Sequence, residues 1–226
     1  MTATATTTLP FNQRTVGSRT IADLVDSLAG IPLDRIRFDP LPGTATEADC
    51  LRVSNTERLC ELIDETLVEK AVGVPEGFLG QTIGFFLMSF VRPRRLGVVI
   101  GSDGLFRMYH GNIRLPDASF TKRERLPNPM PQVGGWCPDL CVEVLSPDNT
   151  RAEMDRKRKE YFASGCRLMW ILDKKSRTCE VFANEYECVE IGIEGTLEGG
   201  HVLPGFILPM KDVFAEYDDY FPSMDK

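Results

Sequence analysis

Histidine is nearly absent. His110 and His201 are the two in 226 residues, both in turn-like surroundings, which leaves little for a mechanism built on imidazole proton transfer. Tryptophan is as scarce, with two residues. That is few for stacking on sugar rings, and it weighs against a glycosidase built on two facing carboxyl groups about 5–10 Å apart. Nucleophile elbow, P-loop and dinucleotide fingerprint are all missing. No apolar run looks long enough to span a bilayer, and the start, "MTATATTTLPFNQR", lacks the apolar centre of a signal peptide. A cytoplasmic protein with no membrane partner is expected. The seven cysteines are odd in number and scattered through core-like segments, unlike a disulfide framework. Cys137 and Cys141 are spaced CxxxC, without a second cysteine pair or nearby histidine to complete a zinc site. They are expected to be reduced core residues. The net charge of −7 argues against a general nucleic-acid binder, though an acidic protein can carry a local basic groove.

What is present is globular: 42% hydrophobic and 26% charged residues. Length suits one domain plus an extension. Residues 1–18 are Thr/Ala-rich and read as a disordered tail. Residues 19–55 read as an N-terminal helical extension, with one helix over 20–30 and a second opened near Thr46. Residues 56–221 read as the main domain. There, "RLCELIDETLVEK" suggests a β-hairpin, and "GFLGQTIGFFLMSFVRP" an apolar helix stopped by Pro93. "LGVVIGSDGLFRMYHGNIRLPDASFT" suggests three strands turning at "SDG" and "HGN". "DLCVEVLSP" is a further strand. "NTRAEMDRKRKEYFASGC" is a helix with a Thr150–Glu153 capping box and a stop at Gly165. A strand, a hairpin arm, a closing strand and a short helix follow. The order predicts an α/β or α+β fold with a mixed central sheet.

Glu143 is the anomaly. It sits inside an apolar strand, where a carboxylate needs a partner or a metal. Asp139 shares its strand face, but four residues of strand span roughly 13 Å, while a metal–oxygen bond is about 2–2.5 Å. The partner must come from another strand. Asp117 in "NIRLPDASF" is the natural second acid if that segment lies beside 138–146, although Asp after Pro is commonly a turn residue. In the helix after Glu143, Met154, Tyr161 and Phe162 mark the apolar face. Lys157 and Arg158 both flank it, while Arg156, Lys159 and Glu160 should point away. Two acids can hold Mg²⁺ with waters to spare, and a nearby lysine can stabilise charge developing on a phosphoryl group.

These motifs resemble the Uma2 family, also called DUF820, of the PD-(D/E)XK restriction-endonuclease-like superfamily. The resemblance runs over about 57–215 and rests on "LCELIDETLVEK", "RLPDASF", "PDLCVEVLSPDNT", "EMDRKRKEYFASGCRLMWILD" and "TLEGGHVLPGFILP". Residues 19–55 also resemble the N-terminal segment of a bacterial subgroup. The resemblance implies a restriction-endonuclease-like mixed sheet flanked by helices. It makes Asp117 and Glu143 the motif acids, the Val144 carbonyl a further metal ligand, and Glu76 an additional acid. The usual lysine two residues after the second acid is replaced by Leu145. The resemblance selects Lys157, four residues before Tyr161, as the substitute. It implies a Mg²⁺- or Mn²⁺-dependent endonuclease acting on DNA, working as a homodimer. Arg92, Arg94, Arg95, Arg151, Arg156 and Lys159 would be available to phosphates. The alternative is an inactive nuclease fold serving as a binding or regulatory module.

Overall fold

Threonines set the helix starts. In the computed structural model, which describes residues 20–71 and 73–221, Thr20 caps α1 (Ile21–Ser27) and Thr46 caps α2 (Glu47–Thr56). Each threonine hydroxyl accepts an N–H three residues on, and the aspartate there, Asp23 or Asp49, bonds back. The tail expected over 1–18 lies outside the described residues. Thr150 likewise accepts the Glu153 N–H at 3.0 Å to open α4 (Arg151–Ala163). The reciprocal half of that expected box does not form. The Glu153 carboxylate goes instead to the Arg35 guanidinium, at 2.9 and 3.0 Å, because a bidentate charge-assisted pair is stronger than a bond to one neutral N–H.

The expected hairpin is present as β1 (Cys60–Ile63) and β2 (Thr66–Glu69). Its two turn residues, Asp64 and Glu65, both have positive φ, 46° and 56°. That mirror-image turn matches the right-handed twist of paired strands. Residues before the hairpin pack on it. Cys50 and Val53 of α2 join Cys60 and Leu62, and Leu28, Ile31 and Ile36 join Ile63 and Val68.

The apolar helix α3 (Val74–Arg94) has 21 residues and ends at a left-handed Arg95, with Pro93 inside its last turn. It is therefore longer than the sequence suggested. By length and composition it matches a membrane span, which corrects the expectation that no such run exists. Its Leu79, Ile83, Leu87 and Val91 stripe is nevertheless buried in the main core. Apolar residues all round mark a core helix as well as a spanning one.

Residues 97–122 form four strands instead of three, split between two sheets. β4 (Phe106–Arg107) pairs with β5 (Ile113–Arg114), whereas β3 (Gly97–Gly101) pairs with β6 (Ala118–Lys122). The small antiparallel sheet has the order β2-β1-β5-β4. The large sheet adds β7 (Leu140–Val144), β8 (Leu168–Asp173), β9 (Thr178–Phe182) and β10 (Cys188–Ile191), in the order β10-β9-β8-β7-β6-β3. β7 and β8 run parallel, which requires a crossover, and α4 supplies it. The mixed α+β architecture expected from the element order is thus observed. A hairpin, β11 (Thr196–Glu198) with β12 (Ile207–Pro209), and two short helices, α5 (Met210–Phe214) and α6 (Tyr217–Tyr220), close the chain.

Alternation along the strands divides the core. Ala118, Phe120, Leu140, Val142 and Trp170 meet α3 on one face. Cys141, Met169 and Ile171 lie with Met154 and Tyr161 of α4 on the other. The large sheet is a filled layer between two helices.

The Arg35–Glu153 pair fastens residues 33–35 to α4, with side chains 8% and 1% exposed. Removing one member strands a buried charge. Glu153→Ala is expected to lower the unfolding free energy by ~3–5 kcal/mol in urea denaturation. A loss below ~1 kcal/mol would mean the pair carries no tertiary load.

Candidate active site

The site is built where the chain crosses between sheets. β5 ends at Arg114, and after three intervening residues β6 begins in the other sheet. Asp117 sits at that bend. Ala118 pairs with Val142 in the antiparallel β6–β7 ladder, so one more step of register sets Asp117 against Glu143. Two carboxylates on facing strand positions repel and need compensation.

Two lysines provide it. Lys70, just beyond β2, places its Nζ 2.8 Å from Asp117 Oδ1 and donates to the Ser102 carbonyl at 3.1 Å. Lys157 of α4 places its Nζ 3.0 Å from Glu143 Oε2 and 3.1 Å from Glu61 Oε1. The other oxygens are held too. The Val144 N–H donates to Asp117 Oδ2 at 2.7 Å, and the Tyr161 hydroxyl makes a short hydrogen bond to Glu143 Oε1. Glu61 faces Arg114 across β1–β5, with Nη1 2.8 Å from its Oε2. Glu61, Asp117 and Glu143 are therefore matched by Lys70, Arg114 and Lys157. Helix α3 comes close at Gly80, where a Cβ would lie 3.2 Å from the Asp117 Cβ.

The two acids that share Lys157 differ in proton affinity. Burial pushes Glu61 up, but Lys157 and Arg114 outweigh it and bring the pKa down to about 2. Burial also pushes Glu143 up. There Lys157 pulls down while Asp117 and Glu61 push up, and the carboxyl is held above its usual range. Burial works to lower the Lys157 ammonium, but Glu143, Glu61 and Glu153 hold it above the lysine range. Lys157 is therefore a fixed positive charge and a poor proton acceptor.

Sequence reasoning placed Asp117, Glu143, Lys157 and Val144, and the fold brings these four together. The Val144 N–H is the group that meets Asp117. Glu76 is buried in the first turn of α3, where it pairs with Lys174, one helical turn before Gly80. Arg92, Arg94 and Arg95 are exposed at the far end of α3. At 1.5 Å per residue, Arg92 lies about 18 Å along the axis from Gly80. Arg94 folds back onto Phe90, with its guanidinium 4.0 Å above the ring. Arg151 is engaged by Glu180 at 2.7 Å. Lys159 is exposed.

Two side chains expected to point away do not. Arg156 pairs with Glu160 at 2.7 Å and with Asp64 at 2.8 Å, and Glu160 pairs with Arg114 at 2.7 Å. The reason is the small sheet, which meets one flank of α4 through Arg114 and the Asp64 turn. Glu61, Lys70 and Arg114 were missed. Glu61 carried the same signal as Glu143, an acid inside an apolar strand, within "CELI".

The donor set fits a hard divalent cation. Asp117 and Glu143 offer anionic oxygens, each with a lone pair left beyond its present donor. Burial and the neighbouring Asp117 and Glu61 carboxylates raise the proton affinity of Glu143, and a cation beside it would offset both.

Glu61 also makes a stability prediction. Its folded pKa lies below the ordinary 4.5, so its contribution is complete above that value and is lost as pH falls towards about 2. Urea midpoints of the wild type are expected to drop across this window, and those of Glu61→Gln to drop less steeply. Equal slopes would show that Glu61 is not held ionised.

Comparison with known proteins follows the same residues. The family model Uma2, described as "Putative restriction endonuclease", matches residues 46–211. Among curated proteins none matches the chain. Among solved structures, one described as "a putative nuclease belonging to DUF820" from Anabaena variabilis ATCC 29413 superposes with a TM-score of 0.67 at 19% identity, covering 75% of this chain and 97% of that one. At that identity the likeness speaks for the fold. The family match spans β1, the crossing at Asp117, β7 and α4, and so takes in every member of the acid–lysine cluster: the chain belongs to the Uma2 family.

Proposed function

We propose that the protein is a Mg²⁺- or Mn²⁺-dependent endonuclease that hydrolyses DNA phosphodiester bonds. Asp117, Glu143 and the Val144 carbonyl would be the metal ligands, and Lys157 the charge-stabilising residue. One observation carries this: Asp117 and Glu143 lie in register on adjacent strands, and the Lys157 ammonium is in contact with Glu143. A lysine on α4 thereby reaches the area that Leu145, where the superfamily's usual lysine would stand, cannot serve.

The residues divide the work. Lys70 and the Val144 N–H fix the Asp117 carboxylate. The Tyr161 hydroxyl and Lys157 fix that of Glu143. When bound, the divalent ion would polarise a phosphoryl oxygen and lower the pKa of a coordinated water. Lys157, always charged, suits stabilisation of the negative charge that grows on the phosphoryl oxygens, a task that needs a preorganised donor and no proton transfer. Removing the water's proton falls to another group. Arg92 and Arg95, beside Arg123 in a groove at the end of α3, would serve DNA phosphates several base pairs from the cut, where contacts position without specifying sequence. Arg151 and Arg156 are taken by carboxylates and are left out. Cutting both strands calls for two sets of these residues, hence a homodimer.

A second reading has its own observation. Asp117 and Glu143 are each already paired with a lysine, Lys70 and Lys157, as suits an inactive nuclease fold that binds or regulates.

Plasmid cleavage decides between them. The wild type with Mg²⁺ or Mn²⁺ is expected to nick and linearise supercoiled DNA. Asp117→Ala and Glu143→Ala are expected to abolish cleavage, and Lys157→Met to lower the rate by ~10²–10³-fold. Equal activity of the wild type and Glu143→Ala, or none in either, overturns the nuclease reading. Mn²⁺ calorimetry then tests the second, which stands only without site-specific binding.

A further inference from the structure

Three thiols meet on the same sheet face as Glu143, one strand alternation away. Cys141 is two residues before Glu143 on β7, Cys137 lies just before that strand, and Cys166 follows the turn out of α4. In the sequence Cys137 and Cys141 lacked a partner. The crossover through α4 brings Cys166 to them, and all three Sγ atoms lie within 4.8 Å of one another. Metal–sulfur bonds are about 2.3 Å long, which sets the sulfurs of a planar three-coordinate ion about 4.0 Å apart. A triangle no wider than 4.8 Å fits inside a circle of radius about 2.8 Å, so each sulfur need move inward by only about 0.5 Å to reach bonding distance.

The surroundings select the kind of ion. No histidine or carboxylate joins the three within that distance among the described residues, and Cys137, Cys141 and Cys166 are 1%, 0% and 5% exposed. Structural zinc is almost always four-coordinate, and a fourth ligand is missing. Soft sulfur ligands without nitrogen or oxygen favour Cu⁺. Phe106, Met154, Met169 and Phe182 share the apolar cluster with them, and the Cys166 thiol donates to the Leu168 and Asp139 carbonyls at 3.1 and 3.7 Å. Cys166 lies directly under the exposed turn residues Gly165 and Arg167. Arg125 covers the same corner, donating to the Cys137 carbonyl at 2.9 Å and lying 3.8 Å from a Cβ at Gly165. We propose that Cys137, Cys141 and Cys166 form a three-coordinate thiolate site for a soft monovalent d¹⁰ ion, Cu⁺, separate from the carboxylate site and independent of nuclease activity. The thiol protons leave to solvent as the ion binds, with no change in oxidation state.

The test is an anaerobic titration of the reduced full chain with Cu⁺ against a chromophoric Cu⁺ chelator, followed by X-ray absorption. One equivalent per chain with three sulfur neighbours is expected. Cys166→Ala and Cys137→Ala are expected to bind at least ~100-fold more weakly, since losing even an outer partner of a ligand costs 10–100-fold. Cys179→Ala, buried elsewhere, and Cys188→Ala, exposed, should bind as the wild type does. Circular dichroism establishes that the variants are folded, and the wild-type stoichiometry and sulfur count stand without them. No stoichiometric binding, two sulfur neighbours, displacement of Cu⁺ by equimolar Zn²⁺, or unchanged affinity in folded Cys166→Ala would each overturn the proposal.

Discussion

One buried ammonium joins the two sheets. Lys157 reaches Glu61 in the small sheet and Glu143 in the large one, from a helix that touches both. A charge this deep is tolerated only if its partners are close and well aimed. Here the requirement runs both ways. The acids need Lys157 to remain ionised, and Lys157 needs both acids to remain in place. The rest of the local structure serves that triangle. Arg114 takes the second oxygen of Glu61, Tyr161 the second oxygen of Glu143, and Lys70 neutralises Asp117 next door.

Much of this was readable from residues. Thr46 and Thr150 announced helix starts, because a hydroxyl that can cap an N-terminus acts locally. The "DET" hairpin and the strand around Glu143 were equally local. Glu143 also signalled a site, since no apolar strand carries an acid without cause. Asp117 followed from a distance argument, whereas the choice of Lys157 over Arg158 needed the family resemblance. What periodicity could not supply was the second sheet. β4 and β5 are two residues each, too short to alternate visibly, and their pairing depends on contacts distant in sequence. Without that sheet, Arg156 and Glu160 looked solvated and Glu61 looked like one more hairpin residue. The half-formed cap at Thr150 has the same origin: Glu153 answers to Arg35, far off in sequence, ahead of its local partner.

The charge of the whole chain was a poor guide to the site. An acidic protein with a net charge of −7 pairs its catalytic candidates with lysines and leaves exposed arginines at the end of α3. Most other arginines named from the sequence are paired with carboxylates. Positive residues in a run state how many charges there are. Only the fold states which of them remain free to meet a phosphate.

The passage from β5 to β6 constrains length as well as chemistry. Leu115, Pro116 and Asp117 connect two sheets whose other members are fixed by their own ladders. Side chains alternate along an extended chain, so one residue more or less would turn Asp117 away from Glu143 and Lys70. The loops before β7 and after β9 can lengthen without touching the acids. This three-residue bridge cannot, and natural variation in chain length should avoid it even where the residues around it are free to change.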